Sequence, residues 1–309
     1  MRNLSIKTVE LGSFGEGIKL SNGTIELSIP KGFGPRILRF AFVGDENILY
    51  EDINENITNS SKELEVFGDN SKWRLYGGHR LWAAPESMPR TYYPDNDMVE
   101  FEDINMGIRV KQSKQKFTDI KLEIDIIFSG DNEVTLTHRI TNCGAWPITL
   151  SPWAITVMDV GGTEIIPFYG DDTGLLPNRT LSLWPYCGMN DKRLSLGEKY
   201  IKLRQDTVIH NPFKLGVYST AGWAGYIKNN TMFLKSFNID RNGIYPDYGV
   251  CYETYTNNLI LEMESLGPLT KLKGGECVTH TEVWRLIKLD GEINLGDDNQ
   301  IEAIVNKYI

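Results

Sequence analysis

Three short segments carry residue types that do chemistry. The first is Trp73-Arg74-Leu75-Tyr76-Gly77-Gly78-His79-Arg80-Leu81-Trp82, followed by Pro85-Glu86. Paired glycines let a backbone turn sharply, which would bring adjacent side chains to one spot. His79 supplies a titratable ring, Arg80 a rigid fork of donors, Trp82 a flat apolar face and Glu86 an acid. A guanidinium fork suits bidentate acceptors, and an indole packs on the apolar side of a sugar ring. The alternative is a structural turn in which the tryptophan is buried and Arg80 pairs with Glu86. Tyr92-Tyr93-Pro94-Asp95-Asn96 follows closely and extends the same polar, aromatic surface.

The second segment, Leu176 to Tyr186, mixes Arg179, Trp184 and Tyr186 in a proline-rich stretch, with Asp171 and Asp172 just upstream. It reads either as a ligand contact or as a packed surface loop. The third is Leu259-Ile260-Leu261-Glu262-Met263-Glu264-Ser265-Leu266-Gly267-Pro268. As a strand, it turns Leu259, Leu261 and Met263 to the core and Ile260, Glu262 and Glu264 to the opposite face. Two carboxylates in one stripe either face solvent or line a cleft, where one would have a raised pKa and serve as a base.

The chain has four histidines, so any mechanism built on a histidine cluster must draw on these. His138 is in phase with Val134, Leu136 and Ile140 and reads as a satisfied core residue. His280 alternates with Glu282, and His210, before Asn211-Pro212, reads as a loop residue. No H-x-x-x-H pair, phosphate-binding glycine loop or G-x-S-x-G elbow occurs, so zincins, P-loop enzymes and α/β-hydrolases have no support. Gly12-Ser13-Phe14-Gly15-Glu16-Gly17 matches neither dinucleotide nor P-loop spacing. Cys143, Cys187, Cys251 and Cys277 include no C-x-x-C pair, so no structural zinc site is expected and no ligand-spacing motif argues for a metal, and the thiols read as free and mostly buried.

The elements that must position these segments are strands. Thr24 to Ile29 alternates polar and apolar after an Asn22-Gly23 turn. Ile120, Leu122, Ile124 and Ile126 alternate with polar residues, and Ser129-Gly130-Asp131-Asn132 joins that run to the Val134–Ile140 run. Further strand-like runs fall near 148–158, 199–205, 214–228, 231–237, 248–256, 259–266 and 278–287. Short strands separated by turn residues predict an all-β antiparallel sandwich or barrel. The one helix predicted is terminal, with Ile301, Ile304, Val305 and Tyr308 on one face, Asn299 as cap and Glu302 as its capping-box partner. It should pack on the outside of a sheet. Residues 51–72 read as a long connection, and 73–96 and 160–195 as ordered loops of the kind that carry binding chemistry. No linker or composition shift divides the chain, so 1–309 reads as a single domain.

Composition fits a folded protein: 309 residues, 41% hydrophobic, 24% charged and a net charge of −9. An acidic surface repels phosphate backbones, so nucleic acid is not an expected partner. No apolar run approaches a membrane span of about 18 residues, and Met1-Arg2-Asn3-Leu4-Ser5 is not a signal peptide, so a cytoplasmic location and no membrane partner are expected.

Three blocks of the chain together resemble the galactose mutarotase-like superfamily, also known for aldose 1-epimerases, and more closely an uncharacterised bacterial branch of it. They are Gly77-Gly78-His79-Arg80-Leu81-Trp82, the strand pair from Thr141-Asn142 to Trp153, and Leu261 to Trp284, with Glu264-Ser265-Leu266-Gly267-Pro268, Gly274-Gly275-Glu276 and His280-Thr281-Glu282-Val283-Trp284. The resemblance runs over most of the chain. It implies a large two-sheet antiparallel β-sandwich with a sugar-binding concave face and a small-molecule sugar as partner. In such enzymes a glutamate takes the proton of the anomeric hydroxyl while a histidine protonates the ring oxygen, so the resemblance implies acid–base chemistry with no cofactor. Glu264 matches the glutamate best, with Glu262 second. The strand that keeps the family's histidine reads Leu150-Ser151-Pro152-Trp153-Ala154-Ile155-Thr156 here and has none, leaving His79 as stand-in acid or as a sugar contact. The implied binding residues are Arg80, Trp82, Glu86, Trp153, Arg179, Trp184 and Glu262. A binding protein without catalysis remains open on the same cleft. So does a glycosidase or lyase, for which Glu86 and Glu264 would be the two carboxylates.

Overall fold

The computed structural model describes residues 4–168, 170, 172–291 and 293–309. Asp171 and the first three residues of the N-terminal segment lie outside the described residues.

Two antiparallel sheets dominate. A ten-stranded sheet runs in the order Leu194–Leu196, Tyr200–Arg204, Thr163–Pro167, Trp223–Lys228, Thr231–Phe237, Cys277–Lys288, Glu133–Asn142, Ile120–Phe128, Gly107–Lys111 and Glu100–Ile104. An eight-stranded sheet runs Thr180–Leu183, Phe213–Tyr218, Tyr252–Thr256, Leu261–Leu266, Ile148–Met158, His79–Ala84 and Arg36–Ile37, with Thr270–Leu272 paired to the start of Ile148–Met158. A smaller four-stranded sheet holds Ser5–Glu10, Glu16–Ser21, Ile25–Pro30 and Arg39–Phe42. This is the all-β antiparallel sandwich that the alternation predicts.

Period-two patterning builds the core between the sheets. Ile124, Ile126, Leu136 and Trp284 of one sheet meet Leu81, Leu215, Tyr252 and Met263 of the other, all buried. Each such side chain contributes about 1.5–3 kcal/mol by leaving water. The 231–237 run forms a strand with those bounds, while 214–228 splits into two strands around a turn whose Gly222 has φ of 67°. Leu261 and Met263 face the core as their phase predicts, but Leu259, expected beside them, does not. The strand begins at Leu261, and Leu259 packs beside Trp73 and Ile260 on the outer face.

The terminal helix, Asp298–Val305, lies on the outer face of the ten-stranded sheet, with Ile301 and Val305 packed among Ile165, Tyr200, Trp223 and Leu234. Its cap is Asp297, not Asn299: Asp297 has the extended backbone a cap needs, and its carboxylate accepts the Asn299 N–H at 3.0 Å. Glu302 turns away from the cap to pair with Lys199 at 2.9 Å. The thiols are free as expected but not mostly buried: Cys251 is buried, Cys187 half-buried, and Cys143 and Cys277 exposed. Among the described residues no helix is long and apolar enough to cross a membrane.

Candidate functional site

The site lies on the outer face of the eight-stranded sheet, and strand register assembles it. Arg80 is level with Ile155, Ile155 with Glu264, and Glu264 with Glu253, so these side chains share one row across four strands. The next row sets Tyr255 level with both Glu262 and Lys214. A third sets Trp82 opposite Trp153. Residues far apart in the chain converge because every second side chain of a strand points to the same face.

Aromatic rings wall this face. Trp82 meets Trp73, Tyr92 and Trp153 at centroid distances of 5.6, 5.1 and 5.4 Å. Arg80 lies 4.4 Å over Trp82, and its Nη2 donates to Glu262 Oε1 at 3.0 Å. Its Nε and Nη1 are buried with no hydrogen-bond partner. Arg80 therefore pairs with Glu262 rather than with Glu86, which instead accepts from Tyr92 Oη at 2.5 Å. These groups line a cavity of about 220 Å³, which also meets Tyr186, Lys214 and Tyr255. An adjoining cavity of about 370 Å³ shares Glu86, Tyr92 and Trp153 with it and adds Trp184, Asp247 and Glu253.

Lys214 is the electrostatic centre. Its Nζ is 2.9 Å from Glu264 Oε2 and 2.8 Å from Glu253 Oε2, and it lies 4.6 Å over Trp153 and 4.8 Å over Trp184. Burial alone would lower its pKa, but the two carboxylates outweigh burial and hold it well above the ordinary lysine value. Burial pushes the Glu253 carboxyl up to about 8, against the pull of Lys214. It raises Glu264 as well, opposed by Lys214 and by the Trp153 indole N–H, which donates to Oε2 at 2.8 Å. Glu253 was missed by the sequence reading. Its signal was the Glu253-Thr254-Tyr255 alternation, which is meaningful only once Glu264 is known to lie beside it.

The sequence-derived residues divide into three groups. Arg80, Trp82, Glu86, Trp153 and Glu262 come together around the first cavity, and Trp184 joins them at the second. Glu264 sits beneath Lys214 and Trp153, fully buried. Arg179 and His79 stay apart. The Arg179 guanidinium donates to the Glu198 carbonyl and stacks on Phe168, on the far edge of the sheet.

His79 corrects the stand-in acid reading. It is adjacent to Arg80 on a strand, so it points to the opposite face, between the sheets, where it is fully buried. There its Nδ1 meets Thr156 Oγ1 at 2.8 Å and its Nε2 meets His138 Nε2 at 2.7 Å. Burial, followed by the neighbouring His138, holds its pKa well below the ordinary histidine value. The paired glycines do not gather adjacent side chains either. They let the chain pass close to its neighbours, because a Cβ at Gly77 would stand 2.1 Å from the Tyr50 carbonyl oxygen and one at Gly78 2.0 Å from that of Ile37.

His138 is a satisfied core residue, as expected, with Nδ1 3.0 Å from the His280 carbonyl. With Glu282, these histidines form a cluster that spacing alone does not reveal: ligand atoms of His79, His138 and Glu282 lie within 4.8 Å of one another. Its polar atoms are already engaged. Glu282 takes Ser265 at 2.6 Å, Trp284 Nε1 at 2.8 Å and Lys235 at 2.9 Å. A cation there would have to displace the Lys235 ammonium, so the donor set fits a hydrogen-bonded core network better than a metal.

No protein-family model and no curated protein sequence matches the chain. Solved structures do match over nearly all of it. A candidate aldose 1-epimerase from Klebsiella pneumoniae superposes with a TM-score of 0.58 at 11% identity, covering 98% of this chain and 86% of that one. A galactose mutarotase-like protein from Clostridium acetobutylicum gives 0.54 at 10% identity over 94% and 100%. One from Lactobacillus casei gives 0.50 at 9% identity over 92% and 100%. The chain has the galactose mutarotase-like fold, and at these identities the likeness speaks to the fold alone.

Proposed function

We propose that this protein binds a sugar in the aromatic-walled cleft and interconverts its anomers by proton transfer, as an aldose 1-epimerase does. The observation that carries the reading is the Glu253–Lys214–Glu264 group beside the Trp153 and Trp184 rings. Indole faces pack on the apolar faces of pyranose rings, while Arg80 Nε and Nη1, buried and unpartnered, are donors for ring hydroxyls.

The two glutamates divide the acid and base work that the family assigns to a glutamate and a histidine. With its pKa near 8, Glu253 keeps its proton at neutral pH and serves as the acid. Glu264, whose Oε2 accepts from both Lys214 and Trp153, is the carboxyl better held as the anion and serves as the base. Glu264 takes the proton of the anomeric hydroxyl, Glu253 gives its proton to the ring oxygen, and the bond from the anomeric carbon to the ring oxygen breaks. The open-chain aldehyde rotates and recloses by the reverse transfers, leaving both carboxyls as they began. Substrate must move Lys214 aside to reach Glu264.

That requirement also supports a second reading, sugar binding without turnover, because Glu264 is fully covered. Polarimetry on freshly dissolved α-aldoses separates the two when paired with titration calorimetry. A rate above buffer that Glu264→Gln abolishes while binding persists supports epimerisation. Binding with no rate increase for any common aldose leaves the second reading. No binding of any sugar removes both.

A further inference from the structure

The outer cavity has an excess of negative charge. Glu86, Asp247 and Glu253 line it together with the rings of Tyr92, Trp153 and Trp184, and among the described residues no lysine or arginine is part of its lining. Lys214 sits over the Trp153 and Trp184 rings at the boundary with the inner cavity. Its single charge is shared between two acids, Glu253 at 2.8 Å and Glu264 at 2.9 Å. Glu264 further accepts the Trp153 N–H. Both acids leave Oε1 without a hydrogen-bond partner, but Glu253, which is 1% exposed and lines the cavity, has Lys214 alone.

An acceptor in that state calls for a donor from outside. A buried oxygen without a partner is unfavourable, and a bound donor removes that cost. A neutral hydroxyl would satisfy the hydrogen bond but leave Glu86 and Asp247 on the lining without a cation. An anionic sugar would meet three carboxyls at the mouth. An ammonium group meets both demands: it donates to Glu253 and, acting as Lys214 does, draws that carboxyl to its anion, and indole and phenol faces attract it as well. The inner cavity differs, since Arg80 and Glu262 balance one another at 3.0 Å and favour a neutral part of the ligand.

The backbone at the rim is committed to this arrangement. Asp247 and Tyr248 both hold left-handed conformations, with φ of 51° and 68°. Such conformations are unfavourable for residues with a Cβ and persist where surrounding contacts impose them. Here the Asp247 carbonyl accepts the Ser182 hydroxyl at 3.0 Å, which fixes Asp247 on the cavity lining.

We propose that the ligand is an amino sugar, its ammonium seated among Trp153, Trp184 and the carboxyls of Glu86, Asp247 and Glu253, and its ring extending toward Arg80. This rests on the sugar-binding reading above and adds the substrate class.

The test is calorimetric titration of the full chain with glucosamine, glucose, N-acetylglucosamine and glucuronate, at a pH below that of the glucosamine amine pKa. Glucosamine should bind about tenfold or more tightly than glucose or its N-acetyl derivative, equivalent to one well-placed charged contact. Glucuronate should bind most weakly. Glu253→Gln should bring glucosamine and glucose to similar affinity. Asp247→Asn, at the half-exposed rim, should narrow the gap severalfold and serves as the control should Glu253→Gln fail to fold. Equal affinity for glucose and glucosamine overturns the inference and leaves sugar binding standing. Failure of all four sugars to bind overturns both.

Discussion

Glu253 and Glu264 stand directly opposite one another on neighbouring strands, and one ammonium, that of Lys214, lies within 2.9 Å of both. Two carboxylates so placed are ordinarily destabilising, and the Glu264 charge adds to burial in holding the Glu253 proton. Their tolerance here depends on Lys214, and the behaviour of the site under mutation and pH follows from that dependence.

Lys214→Met should be strongly destabilising. Removing one member of a buried ionic group leaves charges without compensation, at a cost of about 3–5 kcal/mol. Chemical denaturation measures it. The triple variant Lys214→Met, Glu253→Gln, Glu264→Gln should recover a large part of the loss. A loss under about 1 kcal/mol for the single variant would contradict the buried ionic group, since that is the range of exposed pairs.

Stability should fall on both sides of a mildly acidic to neutral optimum. Burial lifts Glu253 and Glu164 from 4.5 to about 8 in the folded state. A raised carboxyl contributes stability that is complete below its unfolded pKa and lost as pH rises through the folded value. The alkaline loss therefore spans 4.5 to about 8. Burial lowers His280 from 6.5 to about 3 and lowers His79 and His138 too. A depressed group contributes stability present above its unfolded pKa and lost as pH falls through the folded one, so acid loss begins below 6.5. Thermal melts across pH read both limbs, and Glu253→Gln should flatten the alkaline one.

His79→Ala should damage the fold and spare the cleft. The substitution leaves Thr156 and His138 without their partner and opens a hole against the Trp284 ring, 4.7 Å from that of His79. A loss of about 2–4 kcal/mol is expected. At a temperature where the variant is folded, sugar affinity and any turnover should match the parent within about twofold. Abolished turnover in a well-folded variant would restore His79 as a catalytic residue.

Trp153→Phe separates the two uses of that indole. The ring remains as a wall while the N–H bond to Glu264, 2.8 Å long, is lost. Stability should drop by about 1–2 kcal/mol, and the Glu264 carboxyl should become harder to ionise, moving any pH–rate profile upward. Trp82→Ala removes wall and Arg80 support together and should weaken sugar binding by about tenfold, roughly the worth of one ring contact.

The primary sequence by itself determined the strand content, the terminal helix and the separation of faces along each strand. These follow from local periodicity: Glu262 and Glu264 had to share a face, and Ile124 and Leu136 had to be buried, whatever the topology. It also marked Arg80, Trp82, Glu86 and Trp184 by residue type, and Trp153 through the family resemblance. Which face was which could not be read locally. His79 and Arg80 are neighbours in the chain, and only the pairing of their strand with Ile148–Met158 sends the histidine to the core and the arginine to the cleft. Glu253 and Lys214 likewise gained their roles from register, through hydrogen-bond ladders between strands that sequence distance does not disclose. Their charges were legible as residues. The shared burial that shifts them belongs to the tertiary structure, because desolvation and Coulomb interaction depend on what lies within a few ångströms in space and not along the chain.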